Sequence, residues 1–215
     1  MKKLIETIKN IFKIEELRKR ILYTLGLILI YRLGSFVTLP GINPEALANL
    51  QSQVEGNGLL GLLNLFSGGA FSNASIFALG IMPYISASIV IQLLGILVPY
   101  FQKLQREGES GRRKLNQWTR YLTILVLLLQ GPAYLVNLHA QLPDAAFVLG
   151  PSSILFTVTA TIVMIAGTMF VMWLGEKITD KGIGNGVSLI IMVGIIARLP
   201  HALLAEVNTR FTEAT

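Results

Sequence analysis

The stretch that decides the fold of this protein runs from Asn64 to Ser86 and reads NLFSGGAFSNASIFALGIMPYIS. It lies inside a run of 47 residues without Asp, Glu, Lys or Arg, bounded by Glu55 and Lys103. A single membrane-spanning helix needs only about 20 apolar residues, so the run is too long for one span. Its first part is also polar and interrupted by glycines, which suits it poorly to contact with lipid. The stretch therefore predicts a membrane protein in which part of the chain is shielded from the lipid.

The composition of the whole chain favours the same class of protein. Hydrophobic residues make up 53% of the sequence, charged residues only 14%, and the mean hydropathy is +0.62. These values lie outside the usual range of soluble domains. The net charge of +6 comes in blocks of Lys and Arg between apolar runs, which is typical of topology signals rather than of a nucleic-acid surface. Because the chain has no cysteine, disulfides, thiolate metal sites and cysteine nucleophiles are excluded.

Apolar runs between the charged blocks predict an all-α fold with five membrane-spanning helices. Two of the five are irregular, because the first contains Arg32 and the last contains Asn185 and several glycines. In the second, Pro83 lacks an amide donor and is expected to kink the helix or to loosen the turn before it. The predicted spans are residues 21–39, 74–100, 121–138, 152–175 and 182–197.

The distribution of Lys and Arg predicts the orientation of these spans. Residues 1–20 hold seven of them, residues 101–120 six and residues 176–181 two, whereas residues 40–73 and 139–151 hold none. Positive-inside bias therefore assigns the N-terminus and the two later basic loops to the cytoplasm. The first twenty residues also alternate apolar and basic side chains, which predicts an amphipathic helix lying on the cytoplasmic leaflet.

The glycine-rich part of the opening stretch has two interpretations. An apolar piece, residues 59–66, is followed by Ser67, Gly68 and Gly69 and then by the second predicted span. Either this segment enters the membrane from outside and returns, or it is an ordinary external loop with one apolar patch. The re-entrant interpretation implies a cavity on the outer side, because irregular backbone at membrane depth needs protein or water around it. Its glycines and few apolar anchors predict that it is only weakly attached.

Two aliphatic pairs have the spacing of neighbours on one helix face. Ile81 and Ile85 lie four residues apart in the second span, and Val187 and Ile191 lie four apart in the fifth. Such pairs could line a hydrophobic constriction, which gates by excluding water. Contact with lipid or with the protein core is the more ordinary role of isoleucine, and spacing alone does not separate these possibilities.

The sequence offers no arrangement of residues suited to catalysis. His139 and His201 are isolated from any zinc motif, and no nucleophile elbow is present. The glycines of residues 182–186 have neither a preceding strand nor a following Lys-Ser or Lys-Thr, so they indicate a helix entry rather than a phosphate loop. We therefore expect no enzyme and no cofactor. Half of a small-solute transporter is the alternative, with Gln92 and Gln130 as its candidate midplane groups.

Four longer motifs carry a resemblance to a known family. They are RLGSFVTLPGI (32–42), NLFSGGAFSNASIFALGIMPYISASIVIQLL (64–94), REGESGRRK (106–114) and GTMFVMWLGEKITDKGIGNGVS (167–188). Over residues 17–200 the chain closely resembles the N-terminal half of the SecY family, the protein-conducting channel of the general secretory pathway. The resemblance implies one half of an inverted-repeat channel of ten helices: five spans over residues 21–200 with a re-entrant plug helix near residues 59–73. Residues 201–215 would then form an external tail or the start of a hinge to a second half.

The resemblance also implies roles for individual residues. The pore ring, a constriction of aliphatic side chains, would contain Ile81, Ile85, Val187 and Ile191. The lateral gate, through which segments leave for the lipid, would contain Ser86 and Gln130. The plug, which closes the channel from outside, would include Asn64, Phe66, Ser67, Gly68, Gly69 and Asn73.

Partners and location follow from the same resemblance. It implies a multi-pass protein of the cell inner (plasma) membrane with a cytoplasmic N-terminus, surrounded by membrane lipids. Small membrane subunits similar to SecE and SecG would accompany it. A motor ATPase of the SecA type or a ribosome would drive transport of signal sequences and unfolded secretory chains.

Overall fold

A computed structural model of the chain describes residues 13–47, 58–143, 146–148 and 153–212. The described residues form seven α-helices and one short 3-10 turn, Pro44–Ala46, and contain isolated β-bridges but no extended strand. The helices are α1 Glu15–Gly34, α2 Gly58–Phe66, α3 Met82–Leu97, α4 Pro99–Arg106, α5 Glu109–Gln141, α6 Ile154–Lys181 and α7 Gly186–Thr212.

The charged residues at the start of α1 belong to the helix of the first predicted span. Lys19 pairs with Glu15 at 2.8 Å and Arg20 with Glu16 at 2.9 Å, both at the i,i+4 spacing that supports a helix. The separate amphipathic helix predicted for residues 1–20 lies mostly outside the described residues, which begin at residue 13. From Glu15 onward the chain is continuous with the apolar part of α1.

The second predicted span is shorter than expected and bent at its end. Its helix α3 begins at Met82, so residues 74–81 are turns rather than helix. Pro83 therefore lies in the first turn of α3, where a backbone N–H would have no acceptor within the helix. The lack of this N–H breaks no helical hydrogen bond, and the predicted kink is absent. The sharp bend comes instead at Val98, extended because Pro99 follows it, and α3 and α4 meet there at 100°.

The basic segment predicted as a loop over residues 101–120 is mostly helical. Helix α4 ends at Arg106, and α5 begins at Glu109 after a tight turn at Gly108, whose φ of 71° suits glycine. Arg113 pairs with Glu109 at 3.0 Å within the first turns of α5. Charged residues interleaved at helical spacing are as compatible with an exposed helix as with a loop, which explains the difference.

Two of the described helices, α5 and α6, are long and apolar enough to cross a membrane. The bent pair α3 and α4 raises this number to three if it counts as one span, and Gly186–Ala197 is a shorter apolar helix. The third and fourth predicted spans lie within α5 and α6. Spans in the first and fifth positions are not among the candidates, so the count of five stays a prediction. The structure shows a helical membrane protein with two or three apolar spans.

The irregular residues 67–81 lie between the helices and contribute to both hydrophobic clusters of the described core. Phe71 and Ala74 belong to an outer cluster with Leu39, Tyr134 and other residues of α5 and α6. Ala70, Phe77 and Ile81 belong to an inner cluster, whose buried residues are Leu27, Tyr31, Ala70, Phe77, Ile81, Val171, Leu174, Ile178 and Ile190. The segment therefore packs into both clusters along its length.

The chain that follows α1 is hydrogen-bonded to this irregular segment. Leu39 N donates to Ala74 O at 2.8 Å, and Ile76 N donates to Val37 O at 2.9 Å. Residues 41–43 also form two hydrogen bonds with residues 146–148. Asn43 N donates to Ala146 O at 2.9 Å, and Val148 N donates to Gly41 O at 3.0 Å. The backbone of residues 37–43 therefore bridges the two connections on one side of the bundle.

Candidate functional site: plug segment, aliphatic ring and gate cavity

The predicted plug consists of the short helix α2 and the turn that follows it. The turn begins at Ser67, and the next two residues have positive φ, 64° at Gly68 and 94° at Gly69. Glycine occupies this left-handed region at little cost, whereas a side chain would be strained there. The two glycines thus reverse the chain after Phe66 and direct it back into the bundle.

Polar side chains close this turn from within. Asn64 Oδ1 accepts a hydrogen bond from Ser72 N at 3.0 Å. Ser67 Oγ donates to Asn64 O at 3.1 Å and accepts from Phe71 N at 3.1 Å. Asn64 and Ser67 are both buried, at 1% and 2% exposed, and Asn73 is half-buried with its N–H on Gly69 O at 3.2 Å. These bonds satisfy backbone groups that a regular helix would have paired.

Two neighbouring helices also hold the segment through its carbonyl groups. From α1, Tyr31 OH donates to Ser67 O at 3.3 Å and Arg32 Nη1 donates to Gly68 O at 2.6 Å. From α5, Tyr134 OH donates to Phe71 O at 2.9 Å. The segment is therefore bonded to two neighbouring helices, and the strength of its attachment stays a prediction. Glycines were read as loosening it, whereas here they allow close packing and leave carbonyls accessible to side-chain donors.

A contact between two glycines joins the segment to α7. A Cβ added at Gly68 would lie 2.9 Å from the Cα of Gly194, and one added at Gly194 would lie 3.3 Å from the Gly68 nitrogen. Both residues are buried. Gly194 is one helical turn beyond Ile191 on α7, so the plug segment rests on the helix that carries two of the predicted ring residues.

The structure brings the four predicted ring residues to one apolar cluster. Ile81 is 3% exposed and belongs to the inner cluster, and the other three are half-buried and pack against that cluster. Ile81 caps α3 rather than sitting within it, and Ile85 N donates to Ile81 O at 3.1 Å. The other three, Ile85, Val187 and Ile191, retain exposed surface that could face a passage.

The two predicted gate residues share one cavity. Ser86 on α3 and Gln130 on α5 are exposed and line a cavity of about 300 Å³ together with Phe71 and Tyr134. The plug segment closes one side of this cavity, because Phe71 belongs to it. Gln92, the other polar candidate of the transporter hypothesis, is exposed, donates to Ser88 Oγ at 3.3 Å and lies outside this lining.

A charged pair joins α5 to α6. Arg120 Nη2 lies 2.6 Å from Glu176 Oε2, with the two side chains 44% and 25% exposed. Partial exposure screens such a pair, so its contribution to stability is small, about 1 kcal/mol or less. Lys177 follows Glu176 and lies over the ring of Trp173 at 5.9 Å from its centroid.

Sequence reasoning singled out Arg32 as an intramembrane charge but not its partner. It missed Tyr31, Tyr134 and Gly194 as contacts of the plug segment. For the contact made by Arg32, the available signal was an arginine within an apolar run. Tyrosine or glycine within a helix is too common to identify the others, because their partners lie far away in sequence.

Comparisons with known proteins identify relatives of this chain. A family model described as SecY matches residues 75–214, more than half of the chain. The protein translocase subunit SecY of Escherichia coli strain K12 is 48% identical over 188 residues, which cover 87% of this chain and 42% of the relative. The corresponding subunit of Streptomyces scabiei is 47% identical over 198 residues, 89% of this chain and 45% of the relative. The chain thus spans less than half the length of these relatives.

Solved structures show a similar fold at low sequence identity. One, described as "The structure of a protein conducting channel", has a TM-score of 0.55 and 17% identity over 84% of this chain and 36% of the other. A second, described as "Sec61 in the Canine ribosome-channel complex from the endoplasmic reticulum", has a TM-score of 0.52 and 18% identity over the same shares. Together with the family match over residues 75–214, these likenesses lead to one conclusion: the chain belongs to the SecY family.

Proposed function

We propose that this chain forms the first half of a channel that passes unfolded polypeptides across the membrane or laterally into it. In this proposal five helices span the membrane, α2 and the following turn form a plug, and a second, inverted half completes a ten-helix channel. Family membership and the identity of 47–48% to protein translocase subunits support the proposal. The relatives' full length is about twice the part that this chain covers, so transport needs the remainder as well.

The observation that carries the proposal is the common position of the ring residues and the plug segment. Ile81, Ile85, Val187 and Ile191 lie in or against the cluster that also contains Ala70 of the plug segment. A closed passage needs both an apolar constriction and a stopper above it. Aliphatic side chains suit the constriction, because they exclude water and ions and offer a passing chain no hydrogen bond or charge.

The cavity shared by Ser86 and Gln130 supports a lateral exit on the side formed by α3 and α5. A signal sequence is apolar and must leave the passage toward lipid, so its exit requires helices that can separate. Two polar side chains on facing helices weaken the apolar seal between them at that position. Their partner helices would belong to the second half.

The proposed surroundings follow from the family. We infer an inner-membrane location with the N-terminus in the cytoplasm, in agreement with the distribution of Lys and Arg. Small subunits similar to SecE and SecG would pack against the bundle. A motor of the SecA type or a ribosome would engage the basic ends of α4, α5 and α6, where Arg112, Arg113 and Lys181 are exposed.

The proposal is tested by crosslinking a secretory chain that is stalled during export. The chain would be studied in a full-length chimera that joins it to the remaining part of the Escherichia coli relative, which must first support export. Because the sequence has no cysteine, single cysteines can be introduced at Ile85 and Val187, with Leu97→Cys as a control on an exposed face of α3. We expect crosslinks from the first two positions and none from the control.

Failure of both ring positions to crosslink, in a chimera that exports normally, would overturn the proposed passage. Crosslinking from Leu97→Cys as strong as from Ile85→Cys would also count against it, because the stalled chain would then lie outside the bundle. A small-solute transporter predicts no crosslink at any of the three positions.

A further inference from the structure

We propose that Arg32 is a positioning residue that holds the plug segment in its closed seat by binding the Gly68 carbonyl. The inference rests on the proposed channel function and adds a residue of α1 to the device that keeps the channel shut. It concerns the balance between the seated and the displaced plug, and not the passage of the polypeptide itself.

The seat is formed by contacts on both sides of one residue. On one side, Arg32 Nη1 donates to Gly68 O at 2.6 Å, and on the other the Gly68 backbone lies against Gly194 of α7. At a φ of 64° Gly68 has left the helical conformation of α2, and its carbonyl accepts from a side chain of another element. A guanidinium donor makes this hydrogen bond charge-assisted and stronger than one between neutral groups.

The charge of Arg32 has no structural partner that explains it better. Among the described residues no Asp or Glu forms an ion pair with Arg32. Its guanidinium carbon also lies 5.1 Å from the centroid of the Phe36 ring. A charged residue in an apolar helix is expensive and is retained where it meets backbone carbonyls or a water-filled cavity. The carbonyl that it meets here belongs to the plug segment.

Comparison with the preceding residue, Tyr31, shows why the hydrogen bond of Arg32 is the one that breaks more easily when the plug moves. Tyr31 donates to the preceding carbonyl, Ser67 O, but is 1% exposed and stacks on Phe77 within the inner cluster. Tyr31 therefore fixes the position of α1 relative to the turn. Arg32 is only half-buried, so water can replace its bond when the plug moves. Weakening this bond raises the population of the displaced plug.

The proposal is tested in the exporting chimera with Arg32→Gln, Arg32→Lys and the control Arg20→Gln. Arg20 is an exposed arginine of the same helix and is bonded to Glu16. Two readouts are measured: resting ion conductance of purified channels in planar bilayers, and labelling of Asn73→Cys by a membrane-impermeant thiol reagent in intact cells. We expect Arg32→Gln to raise both by about tenfold, equivalent to about 1.4 kcal/mol. Arg32→Lys should give a smaller increase, and Arg20→Gln none.

A second variant approaches the same seat from the opposite helix. Gly194→Val places a side chain against Gly68 and Phe66, so it should raise conductance and labelling without touching Arg32. Both changes act on the position of Gly68. The double variant should therefore increase conductance and labelling by less than the product of the single effects. Simple multiplication of the two effects would contradict a shared seat. Membrane abundance is measured for every variant, and conductance is expressed per channel.

The outcomes separate this inference from the proposed function. If stalled chains crosslink to Ile85→Cys but Arg32→Gln leaves conductance and labelling unchanged, the channel stands and the role of Arg32 is wrong. If the ring crosslinks are absent, the proposed function itself fails. A rise in conductance in Arg20→Gln equal to that in Arg32→Gln would show a general effect of charge and would overturn the positioning role.

Discussion

At the scale of single residues, Gly68 combines more constraints than any other position of the plug segment discussed above. Its φ is positive, its carbonyl binds Arg32, and its Cα side faces Gly194. Several residue types meet each constraint alone, but only glycine meets all of them together at position 68. The ring residues are under a weaker constraint, because any aliphatic side chain of similar volume maintains an apolar seal.

The first prediction concerns Gly68→Ala. The added Cβ would lie 2.9 Å from the Gly194 backbone and would also sit in left-handed φ, which disfavours alanine by about 1 kcal/mol or more. We expect the variant to lower the thermal stability of the purified protein and to raise resting conductance. Gly26→Ala is the matched control, because nothing lies within 4 Å of its Cβ and alanine favours the helix there. Equal stability of the two variants would contradict the proposed contact.

A second residue-scale prediction concerns the seal. Ile81 is part of the core, so its truncation would also destabilise the fold, and Ile85 is the cleaner probe. Ile85→Gly should raise ion leakage in planar bilayers, since a smaller side chain no longer excludes water from the constriction. Ile89→Gly, on the same helix but 51% exposed, carries the same loss of helix propensity and should leave leakage unchanged. Leakage as low in Ile85→Gly as in Ile89→Gly would remove Ile85 from the seal.

At the scale of elements, the plug segment is more firmly built than its composition indicates. The short α2 leads into a turn that is buried in two clusters and bonded to α1 and α5. Its displacement must break these contacts together, so the closed state is set by a sum of moderate interactions. The segment is therefore a packed element of the bundle rather than a loop that rests on its surface.

The third prediction separates packing from hydrogen bonding in this element. Phe71 is 6% exposed, and Phe71→Ala should lower the free energy of unfolding by about 3–5 kcal/mol through a cavity. Tyr134→Phe removes only the donor to Phe71 O and should lower it by about 1 kcal/mol. Tyr121→Phe, on an exposed tyrosine of α5, should change it little. Denaturation of the purified protein in detergent measures all three, and a small effect of Phe71→Ala would show that the segment is loosely packed.

At the scale of the whole molecule, orientation in the membrane remains the property on which the function depends. The positive-inside rule, applied to residues 1–20, 101–120 and 176–181, predicts a plug on the outer side and basic helix ends on the inner side. The bend of 100° between α3 and α4 is compatible with this orientation, because it turns the basic α4 away from the direction of the span.

The fourth prediction tests that orientation directly. Single cysteines at Pro143 and Ser110, both exposed, are treated in intact cells with a membrane-impermeant thiol reagent. We expect labelling at position 143 without permeabilisation and at position 110 only after it. Protection of position 143 in intact cells, with labelling after permeabilisation, would reverse the proposed topology.

The helical class of the fold was predicted from the sequence, whereas the roles of the candidate site residues stay predictions. The four ring residues lie at one cluster, and Ser86 and Gln130 line one cavity. The start of the second span was predicted incorrectly, since residues 74–81 precede the helix and form mostly turns. The sequence pattern indicated the character of that segment, while its boundary depended on hydrogen bonds to distant residues, such as Leu39 N with Ala74 O.

The sequence by itself determined that this is a helical membrane protein of the SecY family, because hydropathy and charge act locally and motifs are read along the chain. It also identified Arg32 as a charge that needs a reason. Only the tertiary structure decided that this charge meets Gly68 O, 36 residues away in sequence, and that Gly194 supports the other side. The physical reason is that a polar, irregular segment survives at membrane depth only through partners for its backbone, and those partners come from other helices.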